Sequence, residues 1–229
     1  MTSIPRIFCA IDTTDVGQAI TIAKSIEGMA GVKLGLEFFN AHGVAGVRDV
    51  MGAVHDTPLF LDLKYHDIPN TVAGAIRAVT HNIKPAFLNV HASGGVEMMK
   101  AAKAVCPPET KLLAVTVLTS IDSTTLSEVG QGEDTREQVI RLSRLAEVAG
   151  LDGVVCSSHE IDAIRKSCGA DFITMVPGIR PEGSNAGDQK RIMTPAEAVS
   201  KGANHLVIGR PITQSKNPAE TLRDILNTI

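Results

Sequence analysis

Two rhythms of apolar residues alternate along this chain from one end to the other. Short runs rich in Val, Ile, Leu and Phe predict strands at Arg6–Ile11, Gly31–Leu36, Leu59–Lys64, Phe87–His91, Leu112–Leu118, Gly153–Cys156, Phe172–Val176 and His205–Ile208. Between them the apolar residues fall at helical spacing. Ala19, Ile22, Ala23 and Ile26 form one such stripe, with Thr14 or Asp15 placed to cap it. Val139, Leu142, Leu145, Ala146 and Ala149 form another, stopped by Gly150, and Ala219, Leu222, Ile225 and Leu226 form the last. Strands that recur about every 29 residues have the spacing of βα units. The pattern shows no break in composition, so it predicts an α/β chain folded as a single (β/α)₈ barrel over residues 1–229. A doubly wound open sheet is the alternative, but no G-x-G-x-x-G follows the first strand. Thr119–Thr135 and Pro177–Thr194 are the least regular stretches, and long loops in compact domains are usually functional or disordered.

Composition narrows the picture in three ways. Aromatic residues make up 3% of the chain, so the core must be aliphatic and stacking platforms for single-stranded nucleic acid are not expected. The formal charge of −3 lacks the basic footprint of a nucleic-acid binder, although a local cluster of donors could still hold a small anion. Cys9, Cys106, Cys156 and Cys168 lie far apart without metal spacing and read as free thiols in a reducing compartment. With no signal-peptide core and no run of about 18 apolar residues, the expectation is a cytoplasmic protein that does not enter a membrane.

In a (β/α)₈ barrel, chemistry belongs at the C-terminal ends of the strands. Asp12, Lys33, Asp62, Lys64, His91, Thr119, Arg180 and Arg210 all gather at those ends. Asp62 and Lys64 are two apart in Leu61-Asp62-Leu63-Lys64, so they project from one face of the strand while the leucines project from the other. Taken alone, such a pair is most often a solvated feature of an amphipathic strand. Strands of a parallel barrel are covered on both faces, however, which makes charges there unusual. Lys33 repeats the anomaly in Val32-Lys33-Leu34, and Asp12 ends Ala10-Ile11-Asp12. Each could simply reach water from a strand end. Together, Lys33, Asp62, Lys64 and Asp67, with Asp12 nearby, form an alternating set that tolerates burial better than any member would singly. Such a set suits a site that stabilises charge developing during a reaction.

A second group suits an anion. Pro177-Gly178-Ile179-Arg180-Pro181 follows the seventh strand and Gly209-Arg210-Pro211-Ile212-Thr213 the eighth. Gly-Arg-Pro is common turn chemistry, but these two loops are where barrels often hold phosphate. Glycine lets the backbone approach closely, and arginine offers a planar fork to phosphate oxygens. No P-loop, H-E-x-x-H or G-x-S-x-G motif competes. His66 and His91 could touch the site, but each reads more simply as a packed histidine.

Asp62-Leu-Lys64-Tyr-His-Asp67-Ile68-Pro-Asn-Thr71 closely resembles the signature of the orotidine 5′-monophosphate decarboxylase family, cofactor-free (β/α)₈ (TIM) barrel lyases of pyrimidine biosynthesis. Ala10-Ile11-Asp12, Lys33-Leu-Gly-Leu-Glu37, Val115-Thr-Val-Leu-Thr119-Ser120, Val176-Pro177-Gly-Ile-Arg180 and Ile208-Gly209-Arg210 follow in the family's order. The resemblance implies that Lys64 stabilises and then protonates a carbanion at ring carbon 6. Asp62 would sit beside the departing carboxylate and, with Lys33, hold Lys64. It further implies a homodimer in which Asp67, Ile68 and Thr71 reach the partner's site. Asp12 and Lys33 would bind ribose, and Thr119 or Ser120 the pyrimidine. Pro177, Arg180, Gln189, Gly209 and Arg210 would surround the phosphate. The nearest alternative is a Mg²⁺-dependent keto-sugar-phosphate decarboxylase or aldolase on the same scaffold. Lys33 argues against it, because a cation stands where those relatives place an acid for the metal. A non-catalytic phosphate sensor would need only the phosphate loops.

Overall fold

The computed structural model describes residues 4–182 and 193–229. Its strands are β1 (Ile7–Ala10), β2 (Gly31–Gly35), β3 (Leu59–Tyr65), β4 (Phe87–His91), β5 (Lys111–Val115), β6 (Gly153–Val155), β7 (Ile173–Val176) and β8 (His205–Ile208). All neighbouring pairs are parallel, and β8 returns to β1 to close the barrel. Every predicted strand is present. The fifth ends early, at Val115 instead of Leu118, because its neighbour β6 stops at Val155 and offers no further ladder partner. Val117 and Leu118 turn instead to line the cavity described below.

Helices separate consecutive strands in the order expected of βα units. In the first, Val16–Ser25, Asp15 is the cap and accepts the Gln18 N–H, while Ala19, Ile22 and Ala23 are buried against the strands. In Thr135–Val148 the predicted stripe is likewise buried at Val139, Leu142 and Ala146, and Gly150 takes φ +77° just beyond it. One departure lies inside Thr119–Thr135. A short helix, Ser123–Glu128, forms there because Asp122 caps it and Leu126 is buried.

Alternation along each strand divides the core into two layers. Ile7, Cys9, Leu61, Leu63, Leu88 and Val90 point outward and pack with the helices. Phe8, Ala10, Phe60, Phe87, Leu113, Met175 and Val207 point inward and fill the barrel. Phe8, Phe60 and Phe87 meet edge to face at centroid distances of 5.4–6.2 Å, and His205 joins Phe87 at 5.0 Å. On β2 the inward positions are Gly31, Lys33 and Gly35. A side chain at Gly31 would collide with the Phe8 ring, so glycine is what admits that ring to the barrel. No helix among the described residues is long and apolar enough to cross a membrane.

Candidate active site

Above the aromatic plug, the inward positions of β2 and β3 become charged, Asp12 stands just beyond β1, and β4 turns polar at Asn89. Lys33 lies between two acids, its Nζ 3.2 Å from Asp12 Oδ1 and 3.3 Å from Asp62 Oδ2. Lys64 Nζ donates to the other Asp62 oxygen at 2.7 Å. Lys33 and Asp62 are nearly inaccessible, whereas the Lys64 side chain keeps 27% of its surface open. Burial by itself would push both inner groups toward neutrality. Against that pressure, Lys33 and Lys64 hold the Asp62 carboxyl below its ordinary range. Burial would also lower the Lys33 ammonium, yet Asp62 and Asp12 hold it above its ordinary value. The alternating charges are therefore stable as a set, and they leave one ammonium facing open space.

Gly35 contributes by having no side chain. A Cβ there would stand 3.0 Å from Lys33 Nζ and 3.7 Å from Asp12 Oδ1, crowding the centre of the network.

Local backbone geometry brings Lys64 to its place. The ladder between β3 and β4 loses register after Leu61, so the four residue steps from Leu61 to Tyr65 oppose only two steps from Leu88 to Val90. Lys64 lies in this bulge with φ +50°, a left-handed conformation that costs a lysine roughly 1–3 kcal/mol. Its N–H, lifted from the ladder, donates to Asn89 Oδ1 at 2.8 Å. Asn89 Nδ2 donates to Asp62 Oδ1 at 2.7 Å. The sequence reading passed over Asn89. The signal was present in Phe87-Leu88-Asn89-Val90-His91, where a polar residue interrupts a buried strand in phase with the inward Phe87, just as Lys33 does on β2.

These groups open into a cavity of about 560 Å³ at the C-terminal end of the barrel. Asp12, Lys33, Asp62 and Lys64 line one side, with Phe60, Ala10, Val155 and Val207 also in its wall. Thr119 and Ser120 both line it after β5. Pro177, Gly178, Arg180, Gly209 and Arg210 complete the lining after β7 and β8, so the two predicted anion loops share one space with the charges. Gly178 has φ +76°, a turn that only glycine takes without strain, and the Arg180 N–H donates to Met193 O across the mouth of its loop. Gln214 also lines the cavity, and nothing in its local sequence marked it. Gln189 lies outside the described residues.

Three predicted residues are elsewhere. Asp67, Ile68 and Thr71 are exposed around the start of the helix Pro69–Asn82, away from this chain's own cavity lining. The Asp67 carboxylate accepts the Ile68 N–H at 2.6 Å, and Ile68 is 66% exposed. The His66 and His91 rings lie 5.5 Å apart, tilted by 33°, near the same end of β3 and β4. Burial, and then the neighbouring His66 and Lys64, hold His91 below the ordinary histidine range.

The four cysteines are free, and burial raises three of the thiols, that of Cys9 to about 12 and those of Cys106 and Cys168 to about 11. No group of three or more His, Cys, Asp or Glu able to hold a metal ion occurs among the described residues.

The arrangement can therefore present a fixed positive charge to an anionic centre while backbone and arginine groups hold a second anion across the cavity. Comparison with known proteins points the same way. A relative from Sphingopyxis alaskensis, orotidine 5′-phosphate decarboxylase, is 50% identical over 224 residues, covering 97% of this chain and 98% of that protein. The protein of the same name from Rhodospirillum rubrum is 50% identical over all of this chain and 95% of its own length. Among solved structures, orotidine 5′-phosphate decarboxylase from Lactobacillus acidophilus superposes with a TM-score of 0.84 at 34% identity, covering 99% of each chain. The sequence pattern that defines the orotidine 5′-phosphate decarboxylase / HUMPS family matches residues 5–225, and the chain belongs to that family.

Proposed function

We propose that this chain is one barrel domain that converts orotidine 5′-monophosphate to uridine 5′-monophosphate and CO₂, without a cofactor, in the cytoplasm. The observation that carries this reading is the run of alternating charges Asp12–Lys33–Asp62–Lys64, buried at Lys33 and Asp62 and ending in an ammonium that faces the cavity. Breaking the bond between ring carbon 6 and the carboxylate leaves its electron pair on carbon 6, where no adjacent carbonyl can absorb it. A fixed ammonium in a dry pocket stabilises that charge as it develops. Lys64 then gives a proton to carbon 6, and solvent returns one to the amine. Asp62 lies beside the departing carboxylate and, with Lys33, holds Lys64 in line. Asp12 and Lys33 bind the ribose hydroxyls, and Thr119 or Ser120 the pyrimidine. Pro177, Arg180, Gln189, Gly209 and Arg210 surround the phosphate, whose binding energy is used to organise groups far from it.

The working unit in this reading is a homodimer. Asp67, Ile68 and Thr71 serve the partner's site, which accounts for a large apolar side chain left 66% exposed beside a carboxylate. A Mg²⁺-dependent reaction on a keto-sugar phosphate fits less well. The charges of Asp12 and Asp62 are already matched by those of Lys33 and Lys64, leaving little to attract a divalent cation.

The test is the loss of orotidine 5′-monophosphate ultraviolet absorbance in excess EDTA, with Lys64→Ala as the control. Rapid loss with the parent alone is expected. No loss, together with Mg²⁺-dependent turnover of a keto-sugar phosphate, would transfer the chain to the metal-dependent branch.

A further inference from the structure

We infer that Asn89 is a positioning residue for this decarboxylation, setting the direction in which the Lys64 ammonium enters the cavity; the inference rests on the function proposed above. Asn89 is fully buried and uses both ends of its amide. The carbonyl accepts the Lys64 N–H at 2.8 Å, and the amide nitrogen donates to Asp62 Oδ1 at 2.7 Å. That same oxygen accepts Lys64 Nζ at 2.7 Å. The contacts close a ring from the Lys64 backbone through Asn89 and Asp62 to the tip of the Lys64 side chain.

The ring matters because Lys64 is the one member whose backbone is strained. At φ +50° it sits where lysine is rarely found, and the bulge has removed its N–H from the β3–β4 ladder. Asn89 replaces the missing ladder acceptor with a side chain. Without it, the N–H would be left buried and unsatisfied, and Lys64 could recover ordinary extended backbone only by re-aiming its side chain. Asn89 also holds one face of Asp62, so both anchors of the ammonium depend on it. It touches none of the atoms that react. Its effect should therefore appear in turnover more than in binding, since the phosphate-binding loops lie on other strands.

Two substitutions test this. Asn89→Leu keeps the number and branching of side-chain heavy atoms and removes both hydrogen bonds. The expected result is a kcat about 10- to 100-fold lower, with KM within about threefold of the parent, after correction for folded fraction by thermal unfolding. Asn89→Asp separates the two bonds. Ionised, the new carboxylate can still accept the Lys64 N–H but repels Asp62; protonated, it can donate to Asp62 again. The ratio of its kcat to the parent's should therefore rise as pH is lowered, which a packing defect would not produce. Equal folded fractions with kcat of Asn89→Leu within twofold of the parent would overturn the inference, as would a pH-independent ratio for Asn89→Asp. If Asn89→Leu does not fold, the Asn89→Asp profile decides alone. Failure of the unaltered chain to decarboxylate the nucleotide is a different result, and it would remove the functional reading together with this one.

Discussion

The inward faces of β3 and β4 carry opposite kinds of residue at their two ends. Near their starts stand Phe60 and Phe87, locked edge to face with Phe8 from β1. One and two inward positions further on stand Asp62, Lys64 and Asn89, joined by hydrogen bonds of 2.7–2.8 Å. The same alternation that buries a phenyl ring at one level buries a carboxylate at the next. What differs is the means of satisfaction. The aromatic end is stabilised by removing apolar surface from water, and its contacts need only shape. The charged end gains nothing from burial itself. It persists because each charge has an opposite neighbour, and the barrel below supplies the rigidity that keeps them together.

The sharpest way to break this comparison is to remove one residue from each end. Lys64→Ala should lower kcat by more than about a thousandfold while far-ultraviolet circular dichroism and the unfolding temperature stay near those of the parent. Retained turnover would remove the distinction between the two ends. The proposed subunit crossover can be tested on the same scale. Lys64→Ala and Asp67→Ala chains, each inactive, should regain about a quarter of parental activity after random subunit exchange, because half the dimers then carry one intact site. No recovery after demonstrated exchange would confine Asp67 to its own chain.

Phe8→Ala probes the other end. It should destabilise the fold by about 3–5 kcal/mol, read from denaturant unfolding, with kcat per folded molecule little changed. A large loss of kcat in the folded fraction would show that the plug shapes the site directly.

The smallest effect concerns pH at the aromatic end. His205 is held below its ordinary range by burial, although its contact with the Pro5 carbonyl opposes this. Its contribution to stability is thus present above the unfolded value of about 6.5 and is lost as pH falls toward the lower folded value, because the unfolded chain binds the proton first. His205→Phe should flatten the decline in unfolding free energy between neutral and mildly acid pH. An unchanged slope would assign that decline to other groups. Asp62 acts at lower pH, since its carboxyl is held down by Lys33 and Lys64 against burial. Its share is present above the unfolded value of about 3.9 and is lost only as pH falls below that.

Much of this was legible in the chain itself. Hydrophobic alternation and helical stripes located all eight strands and the barrel, because each βα unit announces itself locally through period and capping residues. Charges inside apolar strands identified Asp12, Lys33, Asp62 and Lys64, and the glycine-arginine turns identified Arg180 and Arg210, all of which line one cavity. The tertiary structure alone decided the rest. The bulge that strains Lys64 is a mismatch between β3 and β4, and neither strand's sequence contains it without the other. Asn89 gains its part only because that mismatch leaves an N–H in search of an acceptor. The end of β5 depended on where β6 stops, and the place of Phe8 on a glycine of β2. Local sequence specifies which face of a strand is apolar, whereas closure of the barrel specifies which side chains then meet.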